Sequence, residues 1–313
     1  QHMSKKTQFK TTVGGQAVME GVMMSGPAKW CLAVRTPEGE VVTELHDTRR
    51  RPWAKWPFIR GVVSFVNSLL MGYKTLMRSA ELALGDELEA EEPSKFDKWV
   101  DRHFGEAGSK IIFGVSGVLG VVLAVVLFMF VPTAVVNLVD TYLVQLGWGK
   151  SVLEGVLKIA IFVGYLVLVR RLKEISRVFS YHGAEHKTVF CYESGDELTV
   201  ENVRKHTRFH PRCGTSFLLI VLIISIILFS VVTWSDPFLR VALKILLLPV
   251  VMALAYEVIR LAGRYDNPVT RVISAPGLWL QRLTTNEPDD AMIEVAIAAI
   301  QPVLPEDPGE AKW

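Results

Sequence analysis

Long uncharged runs divide the chain into membrane-length and polar stretches. No charged side chain interrupts Ile111 to Val131 ("IIFGVSGVLGVVLAVVLFMFV") or Thr215 to Ser235 ("TSFLLIVLIISIILFSVVTWS"). Each run covers about 20 residues, enough to cross a hydrocarbon core of ~30 Å. Two further runs carry charges near their ends. About Val152 to Val169 begins with Glu154 and Lys158, spaced i,i+4, so they can pair or snorkel to the interface. About Leu239 to Ala262 holds Arg240 and Lys244 at one end, Pro249 inside, and Glu257 with Arg260 at the other. The expected fold is a mainly α, polytopic membrane protein with about four transmembrane helices.

Shorter periods mark the rest. In "WCLAVRT-PEG-EVVTEL" two partly alternating runs flank a Pro-Glu-Gly turn, which predicts a β-hairpin. From Val62 to Met77 apolar residues recur on one side, and Ser64, Asn67, Ser68, Lys74, Thr75 and Arg78 take the other. That predicts an amphipathic helix, lying either in a lipid interface or on a domain core. "RRRPWAKWPF" (49–58) reads as a basic linker or a headgroup-level anchor, and "DELEAEE" (86–92) as a solvated acidic linker. After Leu278, a helix-like run, a "TTNEPDD" break and an apolar helix "AMIEVAIAAI" follow. These patterns divide the chain into a 1–110 N-terminal region, a 111–262 transmembrane bundle with a His/Cys loop at 170–214, and a 263–313 helical tail.

The basic residues set an expected orientation. Only Lys150 lies between the first two runs, whereas Arg170, Arg171, Lys173, Arg177, Lys187, Arg204, Lys205, Arg208 and Arg212 lie between the second and third. Arg260, Arg264, Arg271 and Arg282 lie at or beyond the end of the last. The bias places both termini and the middle loop on the cytoplasmic face of a bacterial inner membrane. No cleavable leader is expected, because Gly14, Gly15, Gln16 and Glu20 interrupt the first apolar residues. Half of the residues are hydrophobic and the net charge is +2, so the expected partner is the lipid bilayer, with a membrane-protein or peptide partner besides, and nucleic acid is not indicated. Three cysteines (Cys31, Cys191 and Cys213) form no disulfide framework and fit a reducing compartment.

Candidate chemistry concentrates in the middle loop. In "YHGAEHKTVF", His182 and His186 are i,i+4 and project from one face if the segment is helical, although Gly183 weakens that expectation by up to ~1 kcal/mol. With Glu185 they form the HxxEH order of the inverted zinc peptidases, where two histidines hold zinc and the glutamate activates water. "HPRC" adds His210 and Cys213, with His206 just before, and a Thr199-capped helix between the two pairs can bring them together. His182, His186, His210 and Cys213 match a tetrahedral zinc site, and the thiolate disfavours harder ions. If all four bind, the shell is closed and the zinc structural; if three bind, a position is left for water and Glu185 becomes a candidate general base. Glu257 is a secondary candidate, as a third carboxylate ligand or as an i,i+3 partner of Arg260. Gln16 and Glu20, on the Gly-rich stretch "GGQAVMEGVMM", are the others, against a purely structural turn.

"GGQAVMEGVMMSGP", "HGAEHK", "TVENVRKHTRFHPRCGTSFLL", "YEVIRLAGR" and "PGLWLQRLTTNEPDD" together make the chain resemble the YqhQ-like family of bacterial inner-membrane proteins, from about residue 13 to 300. The resemblance implies a multi-span protein and supplies no reaction. His182, Glu185, His186, His210 and Cys213 match the family's motifs, while His206 departs from them. Three function classes are compatible with these features: a metal-dependent hydrolase of the peptidase kind; a scaffold or partner-binding protein with structural zinc; and, with less support, a transporter. Few charges in the spans and no inverted repeat count against transport.

Overall fold

The computed structural model of the chain describes residues 9–48, 56, 59–85, 108–147, 149–230, 236–265 and 267–311. Among them the chain is mainly helical, with one small antiparallel sheet. The contacts divide it into two units: residues 1–85, 166–224 and 249–313 form the first, and 86–165 with 225–248 the second.

In the first unit the sheet is a meander of β1 (Gly14–Val18), β2 (Gly21–Ser25), β3 (Lys29–Arg35) and β4 (Val41–Asp47). The β3–β4 hairpin is the one the Pro-Glu-Gly turn predicts, with Gly39 at φ +89°. The β1–β2 hairpin was not anticipated by the sequence pattern, because β2 is buried along nearly its whole length and so shows no alternation. Its two-residue turn places Glu20 at φ +48°, a left-handed conformation that glutamate rarely takes.

The pleat explains the layers. Val22, Met24, Cys31 and Ala33 point to one face, against α5 (Lys173–Glu193) and α10 (Asp290–Ile300). Val18, Met23, Leu32 and Val34 point to the other, with Met71 and Leu82 of α1 (Ile59–Leu84). The helix predicted over 62–77 is this longer α1, so it lies on a domain core. Its outer face nevertheless leaves Leu69, Leu70 and Tyr73 more than half exposed. The Thr199 cap opens α6 (Val200–Arg204), and Asp289 caps α10, as the sequence predicts. A capping box of Asn267 and Thr270 starts α9 (Pro268–Thr284).

Three helical stretches among the described residues are long and apolar enough to cross a membrane: Gly114–Tyr142, Gly149–Val169 and Phe238–Leu261. The first runs past the expected end at Val131. α2 (Gly108–Val125) widens into a π-helical turn at Val126–Phe130 and continues as α3 (Val131–Tyr142). The wider turn accommodates Pro132, which cannot donate an α-helical hydrogen bond. The second and fourth expected spans are α4 (Gly149–Val169) and α8 (Pro237–Arg264). The third differs: α7 covers Gly214–Phe229, its apolar stretch Leu218–Phe229 is shorter than a span, and 231–235 lie outside the described residues. Most of the basic 49–58 stretch and the acidic 86–92 run lie outside them too.

Candidate metal centre

α5 follows α4 after three residues and carries the HxxEH motif. It is a regular helix of 21 residues through Gly183, contrary to what a mid-helix glycine favours. The reason is a close approach. A Cβ at position 183 would lie 2.0 Å from the carbonyl oxygen of Asn286, so only glycine lets the segment after α9 lie against the helix. Asn286 is tied down there, its N–H donating to Phe179 O at 2.8 Å and its side chain to Ser176 O at 3.0 Å.

That segment orients the first histidine. His182 Nδ1 lies 2.9 Å from the carbonyl oxygen of Thr284, which can only accept, so Nδ1 carries the proton. Nε2 is turned toward Cys213 Sγ, 3.1 Å away. His186 repeats the device: Nδ1 donates to Arg208 O at 2.5 Å, and Nε2 is buried without a hydrogen-bond partner. Carbonyls fixing the far nitrogen of each imidazole are what metal-ligating histidines use to present the other. The ligand atoms of His182, His186 and Cys213 all lie within 4.8 Å of one another.

The third group comes from the "HPRC" turn, where Cys213 N–H donates to His210 O at 3.4 Å. Gln281 of α9, fully buried, holds this turn with both ends of its amide: it accepts from His210 N–H and donates to His210 O, each at 2.7 Å. His210 itself lies outside the group of three. Its ring packs 5.6 Å from that of His186, its Nδ1 accepts from Arg212 N–H at 3.3 Å, and Nε2 faces Glu193 at 3.6 Å. Burial first, with Arg212 adding to it and Glu193 opposing, pushes its pKa down to about 4.

Charge is concentrated at the three. Burial opposes ionisation of Cys213, but the imidazoles of His182 and His186 outweigh it and hold the thiol well below the ordinary cysteine range. Burial likewise opposes charge on His182, and the Cys213 thiolate overrides it and raises the imidazole. Glu185 is buried and its pKa is raised, burial outweighing the two imidazoles. Gly15 N–H of β1 donates to Oε1 at 3.0 Å, and Oε2 has no hydrogen-bond partner. A cavity of about 230 Å³ reaches Glu185, His186 and Cys213, with Arg212 and the β1 backbone at Gly14 and Gly15 on its walls.

The other sequence candidates serve elsewhere. Glu257 accepts from Arg60 of α1 at 2.7 and 2.6 Å rather than joining the three. Gln16 donates to Thr75 of α1 at 2.6 Å. Glu20 pairs with Arg177 and accepts from Tyr181 OH at 3.2 Å, bracing the turn of α5 that precedes His182. His206 faces Asp196 at 3.2 Å. Cys31, Cys191 and Cys213 form no disulfide, and burial raises Cys31 to about 11. Gln281 and the carbonyls of Thr284 and Arg208 were not legible beforehand, since neither a lone glutamine nor a main-chain oxygen leaves a spacing signal.

A mainly helical protein with membrane-length helices, a small antiparallel sheet and a His–His–Cys cluster is thus defined. The chain belongs to a protein family of unknown function, DUF1385, whose pattern matches residues 56–306. Over 304 residues it is 33% identical to the uncharacterized protein YqhQ of Bacillus subtilis (strain 168), covering 96% of this chain and 94% of that one. No solved structure matches it.

Proposed function

We propose that this chain is an inner-membrane metalloprotein that binds a divalent transition metal, zinc by preference, through His182, His186 and Cys213, and uses it for hydrolysis. The observation that carries the reading is the unpaired, buried Nε2 of His186 beside a thiol and a second Nε2, both imidazoles locked by main-chain carbonyls. An unpartnered buried nitrogen costs about 1–3 kcal/mol, which a ligand removes. Two nitrogens and one thiolate are a zinc donor set, and the sulfur disfavours magnesium or calcium.

Three protein ligands would leave a bound zinc accessible to solvent or substrate from the cavity that reaches His186 and Cys213. The ion would supply Lewis-acid polarisation. Glu185, held at Oε1 by Gly15 and without a hydrogen-bond partner at Oε2, would accept the proton of an attacking water. The edge strand β1 beside the cavity supports a peptide substrate, and the basic residues around α5 support a cytoplasmic placement.

The test is cleavage of a quenched fluorescent peptide library by zinc-loaded, detergent-solubilised protein. The reading expects turnover that a chelator stops and zinc restores. Zinc bound at full occupancy with no turnover on any peptide or ester would support the other reading, a scaffold in which the metal only clamps the loop to α5.

A further inference from the structure

α1 faces the opposite way from an amphipathic helix on a water-soluble domain. The residues it buries are small or polar: Gly61, Thr75 and Ser79. Toward the sheet, Thr75 accepts from Gln16 at 2.6 Å and Ser79 from Met19 N–H at 3.2 Å. Outward it presents Val66, Leu69, Leu70, Tyr73 and Leu76, each 45–63% exposed. Their spacing of i, i+3, i+4, i+7 and i+10 makes one continuous stripe along the helix. Asn67, Lys74 and Arg78, all exposed, fall between the stripe and the buried side. A contiguous apolar stripe of this kind marks a surface that something covers.

The start of α1 shows what lies there. A Cβ at Gly61 would lie 2.9 Å from Ala253 Cα and 3.1 Å from Met252 O, so the helix touches the backbone of α8. One residue earlier, Arg60 holds Glu257 at 2.7 and 2.6 Å. Met252 and Glu257 belong to the membrane-length segment Phe238–Leu261, and at 1.5 Å per residue they lie about 6–14 Å inside its Leu261 end. Arg60 and Glu257 neutralise each other, as ionisable groups at that depth do. Val66 follows Gly61 by only about 7 Å along the helix, so the stripe opens beside the apolar part of α8. α9, which starts at Pro268 after α8 ends at Arg264, repeats the design. It buries Thr270, Gln281 and Thr284 on one side and leaves Val269, Val272 and Trp279 more than half exposed on another.

From this placement we infer that α1 lies in the plane of the bilayer, with its 66–76 stripe immersed in the acyl chains of the cytoplasmic leaflet. The inference rests on reading α8 as a membrane span and needs neither the metal nor hydrolysis. Its consequence reaches the metal centre all the same. The inner side of α1 bonds to β1 through Thr75 and Gln16, and Gly15 of β1 donates to Glu185. A helix that does not cross the membrane therefore fastens the strand beside the HxxEH motif to the lipid surface.

The experiment places nitroxide spin labels in full-length, zinc-loaded protein in phosphatidylcholine–phosphatidylglycerol nanodiscs, with the unsubstituted chain treated identically as the blank. Leu70→Cys carries the label on the stripe, Lys74→Cys on its polar flank, Leu246→Cys on α8 and Glu38→Cys in the β3–β4 turn. Collision with dissolved oxygen and with a water-soluble nickel chelate gives each label's depth. The Leu70 label is expected to favour oxygen and to sit about 5–10 Å into the leaflet, shallower than Leu246 and deeper than Lys74. A Leu70 label as open to nickel as the one at Glu38 would overturn the inference. So would a Leu70 label shielded from both reagents with spin–spin broadening, which means that a second copy covers the stripe. Leu246 separates the two readings: a wet Leu246 label removes the span and this inference together, whereas a deep Leu246 label beside a wet Leu70 label removes this inference alone.

Discussion

His182 Nε2 and Cys213 Sγ meet at 3.1 Å although 31 positions separate them. The contact is the product of two anchors. Gly183 lets the segment after α9 lie on α5 and lend Thr284 O to His182, while Gln281 of α9 grips the main chain at His210 and so places Cys213. One helix therefore sets both partners.

The first anchor is tested by Gly183→Ala. The added methyl meets main-chain atoms of Asn286, which cannot move aside as a flexible side chain would. A loss of about 1–3 kcal/mol in unfolding free energy is expected. The displaced Thr284 carbonyl should also weaken zinc binding by about tenfold or more, measured by competition with a chromophoric chelator.

The second anchor is tested by Gln281→Leu. Leucine fills similar volume but leaves His210 N–H without a partner in a buried place and His210 C=O with only the longer bond from Cys213 N–H. The expected cost is about 1–3 kcal/mol for the unpaired N–H, read from chemical denaturation. Full stability in this variant would mean that the loop finds other partners.

Glu185→Gln separates chemistry from architecture. The amide can still accept from Gly15 N–H, so metal content and Tm should stay at wild-type levels. Hydrolysis should fall by about 10²–10⁴-fold, the usual contribution of a general base. Unchanged hydrolysis would remove Glu185 from the reaction.

A pH dependence follows from Glu20. Its hydrogen bond to Arg177 holds the carboxyl below the ordinary value of 4.5, with burial opposing. A lowered folded-state pKa contributes stability above 4.5 that is lost as the pH falls through the folded value. Glu20→Gln should therefore be less stable than wild type at pH 7, and the gap should close below pH 4.5. Arg177 is half exposed, so the gap is expected to be small and to shrink in high salt.

Much of this organisation was legible in the residues. The i,i+4 histidines and the thiol of "HPRC" announced themselves by spacing, and the apolar runs by length. His210 shared the spacing signal, but its lone pair is taken by Arg212 N–H and its other nitrogen faces Glu193, relations that only the folded turn creates. Glu257 looked like a downstream ligand because an ionisable residue late in a span draws suspicion; its partner Arg60 lies 197 positions away and leaves no local trace. The β1–β2 hairpin escaped notice because burial of both faces of β2 erases the period-two pattern.

X-ray absorption at the zinc edge, on full-length protein purified without chelator, tests the centre most directly. The account predicts a zinc signal with one sulfur at about 2.3 Å, two nitrogens at about 2.0–2.1 Å and one further light atom. An absent edge, or a shell without sulfur, would contradict it.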